Sequence, residues 1–199
     1  MGRNTILNQK IKDERRGRIL SVALGLFATK GLTATKITDI ASALGISQGL
    51  VYHYFRSKEE IFVELIRYAF ERMNEACRYL ESLDLPPLEK IRMAITELLK
   101  GIEKNEDTPL YHLLIALATA SDAIPAQAKD LIKNENMLSY DVITRIIIKG
   151  QKEGAIKKHD PKDMALVFWT TIKGLAIHKA AHGRKYKTPD PEILMDIFI

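Results

Sequence analysis

Apolar side chains recur along this chain at the three-to-four-residue spacing of helices, with Pro and Gly at the joints. Between 15 and 30, Ile19, Leu20, Ala23, Leu26 and Phe27 form one face of a first helix that Gly31 stops. Ile37, Ile40, Ala41 and Leu44 predict a short second helix, capped by Thr38 and ended by Gly45. Ser47 caps a third that turns Val51 and Phe55 inward. A longer fourth runs from Lys58 through Ile61, Leu65, Ala69 and Met73 to about Leu83, where Pro86 and Pro87 break it. Further helices are expected at about 88–103, 109–121, 126–153, 161–182 and 190–199, with Pro109, Pro125, Pro161, Pro189 and Pro191 at their joints. No segment alternates as a strand does, so the fold class is all-α.

The charge is unevenly placed along this pattern. Residues 1–60 hold ten Lys or Arg against five Asp or Glu, and residues 61–199 hold twenty of each, so the first third carries the whole net charge of +5. A basic module joined to a neutral one suits a polyanion, either nucleic acid or an anionic membrane surface. The run Lys10, Lys12, Arg15, Arg16 and Arg18 adds a general electrostatic contribution or a solvated face. A membrane-surface helix needs a broad apolar face, whereas the first three helices have narrow faces that cover one another. The longest apolar stretch, 113–120, is far too short for a membrane span, and no leader-like run opens the sequence, so a cytoplasmic protein is expected. Cys77 is the only cysteine and reads as a packed small side chain.

Residues 37–52 have the anatomy of a helix-turn-helix: two short amphipathic helices flank Leu44-Gly45-Ile46-Ser47, where Gly45 permits a tight turn, Ile46 fills the gap and Ser47 caps the second helix of the pair. This stretch resembles the TetR family of bacterial regulators. The likeness continues through Tyr52-His53-Tyr54-Phe55-Arg56-Ser57-Lys58-Glu59-Glu60-Ile61, with Leu26-Phe27-Ala28-Thr29-Lys30-Gly31 and Thr35 upstream, and covers about 14–65. The resemblance implies that Thr35, Lys36 and Thr38 approach phosphates, that Gln48, Gly49, Leu50, Tyr52, His53 and Tyr54 present a recognition helix, and that Lys58 holds the DNA backbone. Side-chain chemistry agrees independently. Gln48 can pair bidentately with adenine, Leu50 can touch a thymine methyl, and Tyr52 and His53 can reach phosphate or base. Tyr54 could equally pack within the module.

A DNA-binding domain over 1–60 and a helical effector and dimerisation domain over 61–199 are therefore expected. In the eighth helix Phe168, Trp169, Ile172 and Leu175 form one apolar stripe, while Leu166, Val167, Thr170 and Ile177 make much of the rest apolar, so both sides need cover. A homodimer interface is expected from Phe168, Trp169, Ile172 and Leu175 with Ile193 and Ile197 of the last helix, as the family likeness also implies. A dimer would read a palindromic operator. His112, Tyr140 and Trp169 are the candidates for contacts to a small, largely apolar effector that releases the repressor, although the same residues could fill an ordinary core, and a regulator or architectural protein needing no ligand stays the alternative. No catalytic constellation is legible, so no enzyme and no cofactor are expected. His178 and His182 share a helical face and could hold a metal with His159, but histidines at a helix end more often meet carbonyls or solvent; no metal is expected.

Overall fold

A computed structural model describes residues 2–199, and the side chains of all of these except 2–11, 136 and 184. Among the described residues, nine α-helices and one 3-10 turn, Gly183–Lys185, make up the regular structure, with no strand. Helix α1 spans Gly2–Ala34 and is broken at Gly31, where φ is +80°. Then come α2 (Ile37–Leu44), α3 (Gln48–Tyr54) and α4 (Lys58–Ser82). The remaining helices are α5 (Pro87–Lys104), α6 (Asp107–Thr119), α7 (Ala126–Lys152), α8 (Pro161–His182) and α9 (Pro191–Met195). The last of these is shorter than the 190–199 expected, because the chain turns after Met195 and Lys157 N donates to the Phe198 carbonyl at 2.9 Å.

Caps explain the short helices. The Ser47 hydroxyl accepts from Leu50 N at 3.2 Å and the Ser57 hydroxyl from Glu60 N at 3.2 Å, each satisfying a donor that the first turn leaves without a partner. At α2 the expected cap is corrected. Thr38 lies within the first turn, and the capping residue is Lys36, whose extended backbone lets its N–H donate to the Asp39 carboxylate at 3.0 Å. Gly45 closes α2 in the left-handed region, φ +65° and ψ +32°, and Ile46 N donates back to the Ala41 carbonyl at 3.0 Å.

Two apolar clusters hold the helices. One joins Ile19, Leu24 and Phe27 of α1 to Ile40, Val51, Phe55, the first half of α4 and one side of α6. Phe27 meets Phe62 edge to face at 5.5 Å. The other gathers the second half of α4 with α5, α7, α8 and α9 around Ile91, Ile147, Phe168, Trp169 and Ile172. Each such side chain, fully buried, contributes roughly 1.5–3 kcal/mol. Helices α4 and α7 contribute to both clusters, and α6 packs on α1 and on α8.

Nothing lies within 4 Å of where a Cβ would stand on Gly45, so only its backbone conformation resists substitution. Replacing Gly45 with Ala is expected to destabilise the chain by about 1–2 kcal/mol, the cost of the left-handed conformation. Denaturant unfolding measures it, and a stability unchanged by the substitution would show that the α2–α3 turn can close another way.

Candidate nucleic-acid interface and buried polar cluster

The turn fixed by Gly45 and Ser47 projects α3 from the body of the first cluster. Val51 and Phe55 are fully buried on its inner side. Gln48, Gly49, Tyr52 and His53 lie on the outer side, exposed, and Tyr52 keeps 53% of its surface open. Leu50 is half-buried, and so is Tyr54, whose ring meets His53 edge to face at 5.2 Å and packs against the first cluster. Lys36 and Thr38 are exposed at the start of α2. Beside this face a groove of about 230 Å³ runs between Arg15, Arg18, Leu44, Leu50 and Tyr54, so cationic side chains flank the recognition helix. The arrangement offers amide, phenol and imidazole groups to base edges inside a positive rim, which is what groove reading requires.

Two residues expected at the phosphates are placed elsewhere. Thr35 is completely buried, and its hydroxyl donates to the Gly31 carbonyl at 2.8 Å and lies 3.4 Å from the Leu26 carbonyl, so it stabilises the end of α1. Lys58 points its ammonium at the carbonyls of Leu32, Thr33 and Thr35, at 2.8, 3.2 and 2.8 Å. An ammonium has three protons, and these three acceptors use them all. Of the basic run, Lys12, Arg15 and Arg18 are exposed, whereas Arg16 forms a bidentate pair with Glu64 of α4 and lies 4.8 Å over the Phe55 ring. Lys10 lies outside the described side chains.

In the second cluster two of the effector candidates, Tyr140 and Trp169, are brought together at α8, and the third, His112, stands on α6, which packs on α8. Trp169 is buried and its indole N–H donates to the Ser139 carbonyl at 3.1 Å. Its ring lies 6.1 Å from that of Tyr140, whose hydroxyl accepts from the Lys173 ammonium at 3.1 Å. His112 is buried on α6, and burial first, then the charge of Lys173, lowers its pKa to about 4. The sequence pattern did not single out Lys173, although it stands one turn after Trp169, on the edge of the buried stripe. A second groove, about 410 Å³, lies between Glu59, Glu64, Arg67 and Gln127, and neither groove is lined by His112, Tyr140 or Trp169.

The dimer stripe is corrected by burial. Phe168, Trp169 and Ile172 are at most 2% exposed within a single chain, and Leu175 packs half-buried against the same cluster, because α5, α7 and α9 cover that face. Ile197 is half-buried, and of the residues expected at the interface Ile193 alone is widely exposed, at 62%. The open apolar face of α8 is the opposite one, with Leu166 and Val167 at 49% and 43%, followed by exposed Thr170 and Gly174 and half-buried Ile177.

The rings of His178 and His182 stack at 3.9 Å, and a nitrogen of His182 lies 2.9 Å from the His178 carbonyl. No group of three metal-ligating side chains is found among the described residues. Cys77 is buried, and burial, assisted by Glu81, pushes its thiol up to about 11. Among the described residues no helix is long and apolar enough to cross a membrane.

A basic helix-turn-helix head carried on a helical body is the build of a DNA-binding transcription regulator. The family description "Bacterial regulatory proteins, tetR family" matches residues 19–65. The HTH-type transcriptional repressor KstR2 of Mycolicibacterium smegmatis is 37% identical over 166 residues, covering 80% of this chain and 78% of its own. KstR2 of Mycobacterium tuberculosis is 30% identical over 138 residues, 69% of each chain. In fold, the solved ketosteroid transcriptional regulator KstR2 of M. tuberculosis aligns with a TM-score of 0.73 at 24% identity, over 92% of this chain and 89% of its own. AibR in complex with isovaleryl coenzyme A and operator DNA aligns with a TM-score of 0.70 at 17% identity, over 92% of this chain and 94% of its own. The chain belongs to the TetR family and is a helix-turn-helix transcriptional regulator.

Replacing Lys58 with Met is expected to destabilise the head by about 1–3 kcal/mol through the loss of charge-assisted hydrogen bonds. The slope of log affinity for DNA against log salt should stay unchanged. A slope smaller by about one would mean that Lys58 contacts a phosphate after all.

His112 gives a second expectation. Its folded pKa of about 4 lies below the ordinary 6.5, so between those values the unfolded chain binds more protons than the folded one. Stability therefore rises with pH across that window and is unaffected by this group above it. In His112→Leu this contribution, up to about 3 kcal/mol, should vanish from denaturation curves taken through the window. A variant with the same pH slope as the parent would contradict the burial of a neutral imidazole.

Proposed function

We propose that the protein is a dimeric repressor in the bacterial cytoplasm that reads a palindromic or near-palindromic operator through α3 and leaves it when a small, largely apolar effector occupies the second domain. The observation that carries this reading is the outer face of α3, where Gln48, Gly49, Tyr52 and His53 stand free while Val51 and Phe55 anchor the helix behind them. Gln48 reads a base edge, Tyr52 and His53 reach phosphate or base, Leu50 and Tyr54 add apolar contact at the rim, Gly49 allows close approach, and Lys36 and Thr38 face phosphates. Repression is supported by the KstR2 relatives, and ligand response by AibR, whose structure holds both isovaleryl coenzyme A and operator DNA. The division of labour falls at 1–60 and 61–199, with α4 and α7 shared by the two clusters.

The dimer forms through the open face of α8, Leu166, Val167, Thr170, Gly174 and Ile177, with Ile193. An exposed apolar stripe of this kind on a helix needs a cover, and a two-fold partner supplies the same stripe in reverse. Coupling runs through α6. His112 sits on its buried side, and at its start the Asp107 carboxylate accepts from the Ser21 hydroxyl of α1 at 3.5 Å, so an effector that moves α6 moves the head. Release requires that the effector prefer a spacing of heads unable to span adjacent major grooves, because equal binding to both states shifts nothing.

Selection from random duplexes should yield a two-fold symmetric site. Gln48→Ala should change base preference within each half, at a cost of about 1–3 kcal/mol for a bidentate contact. Leu166→Glu with Val167→Glu should sediment as a monomer and lose the symmetric site. An unchanged preference would refute the assigned reading face, and a monomer with full operator affinity would refute the dimer.

A further inference from the structure

We infer that the effector carries a negatively charged group on an apolar body, and that Lys173 is the counter-ion that receives it. This deepens the reading of the second domain and rests on it. Lys173 lies on α8, half-buried, with its ammonium 3.1 Å from the Tyr140 hydroxyl and 5.0 Å from the centre of the Tyr140 ring. Neither partner is an anion, and no carboxylate pairs with Lys173 among the described residues. Nearby, the imidazole of His112 is about nine-tenths buried and close enough to feel the Lys173 charge.

A partly desolvated cation without a counter-charge is costly. An anion supplies that counter-charge. It accepts from the Lys173 ammonium and from the Tyr140 hydroxyl, whose oxygen currently accepts and whose proton is free to turn. A neutral ligand leaves the ammonium without its counter-charge, and a cationic one is repelled. The indole of Trp169 is already engaged at Ser139, so it serves as an apolar wall beside Phe168, while half-buried Met93 and Leu98, flexible and packed on the same cluster, can yield room. The ligand class is thus an apolar acid. A free carboxylate and the phosphates of a coenzyme A thioester share this anionic chemistry.

Trp169 is the only tryptophan of the chain and lies beside Tyr140, so its emission reports occupancy without any DNA. The probes are decanoate and decanoyl coenzyme A, with decanol and methyl decanoate as neutral counterparts. At least one anionic probe should alter the emission saturably and bind about tenfold or more tightly than decanol, and which of the two does so identifies the source of the charge. Lys173→Met should bring the anion down to the level of decanol, and Lys173→Arg should keep the preference. Removing an uncompensated charge while keeping an apolar stem should leave the melting temperature of Lys173→Met no lower, so loss of binding would not reflect unfolding. The inference is overturned if acid and alcohol bind alike, if Lys173→Met keeps the preference, or if no anionic probe alters Trp169. Operator titration is separate: an acid that binds through Lys173 yet leaves DNA affinity unchanged sustains this site and removes the release mechanism instead.

Discussion

Three carbonyls at the end of α1 converge on one ammonium at the start of α4, and the orientation of the recognition helix depends on that joint. By position alone Lys58 is unfavourable, because a cation in the first turn meets the positive end of its own helix dipole. Glu59 and Glu60 in the same turn offset this, and the carbonyls it meets lie where α1 ends, the negative end of another dipole. The lysine therefore joins the end of one helix to the start of another, beside the caps that Thr35 and Ser57 supply. The α2–α3 pair is held between them, its inner residues Ile40, Val51 and Phe55 packed on α1 and the first half of α4. Arg16 adds a second tie, reaching Glu64 across the same gap while covering the Phe55 ring. With both ends tied, α3 cannot tilt independently of α4, so a displacement of α4 or α6 is transmitted to the head as a whole.

The two apolar clusters make such transmission economical. Because α4 and α7 contribute to both and α6 packs on α1 and on α8, the molecule has no flexible linker at residue 60 and the cores meet along packed helices. Packed interiors move between discrete arrangements and do not deform smoothly. A change of packing around His112 on one side of α6 must therefore be met by a change on the other, where α6 lies on α1.

Much of this was readable from the sequence because it is local. Ser47, Gly45 and Ser57 announce helix ends through bonds to residues within a few positions, and the inner face of α3 follows from spacing alone. What was not readable depends on chain segments meeting across the fold. Lys58 announces a cation at a helix start, but the carbonyls it meets come from another helix, and its chemistry fits a phosphate equally well. Thr35 has a hydroxyl suited to phosphate until the end of α1 buries it. In α8 the sequence shows apolar residues on both sides and cannot say which side the chain itself covers, so Phe168, Trp169 and Ile172 looked as available to a partner as Leu166 and Val167. The cap of α2 failed for a subtler reason: Thr38 is the better capping residue by type, but the extended backbone at Lys36 and the reach of Asp39 decide the matter.

Lys173 shows how the two faces of α8 constrain each other. One turn after Trp169 and next to exposed Gly174, it stands at the border between the stripe the protomer buries and the stripe left open. A hydrophobic residue there would have extended the core and left the helix with a wider apolar surface. An ordinary solvated lysine would have extended its ammonium away from the interior. Lys173 instead turns its head toward Tyr140 and the neighbourhood of His112, so the charge lies against the cluster while the stem closes its edge. Any group that neutralises this ammonium acts on the same helix that carries the open apolar face, one residue from Gly174, where close approach of a second helix is least obstructed. Charge recognition inside the domain and contact geometry outside it are therefore mechanically inseparable on α8, which is the property a ligand-controlled spacing of two DNA-reading heads requires.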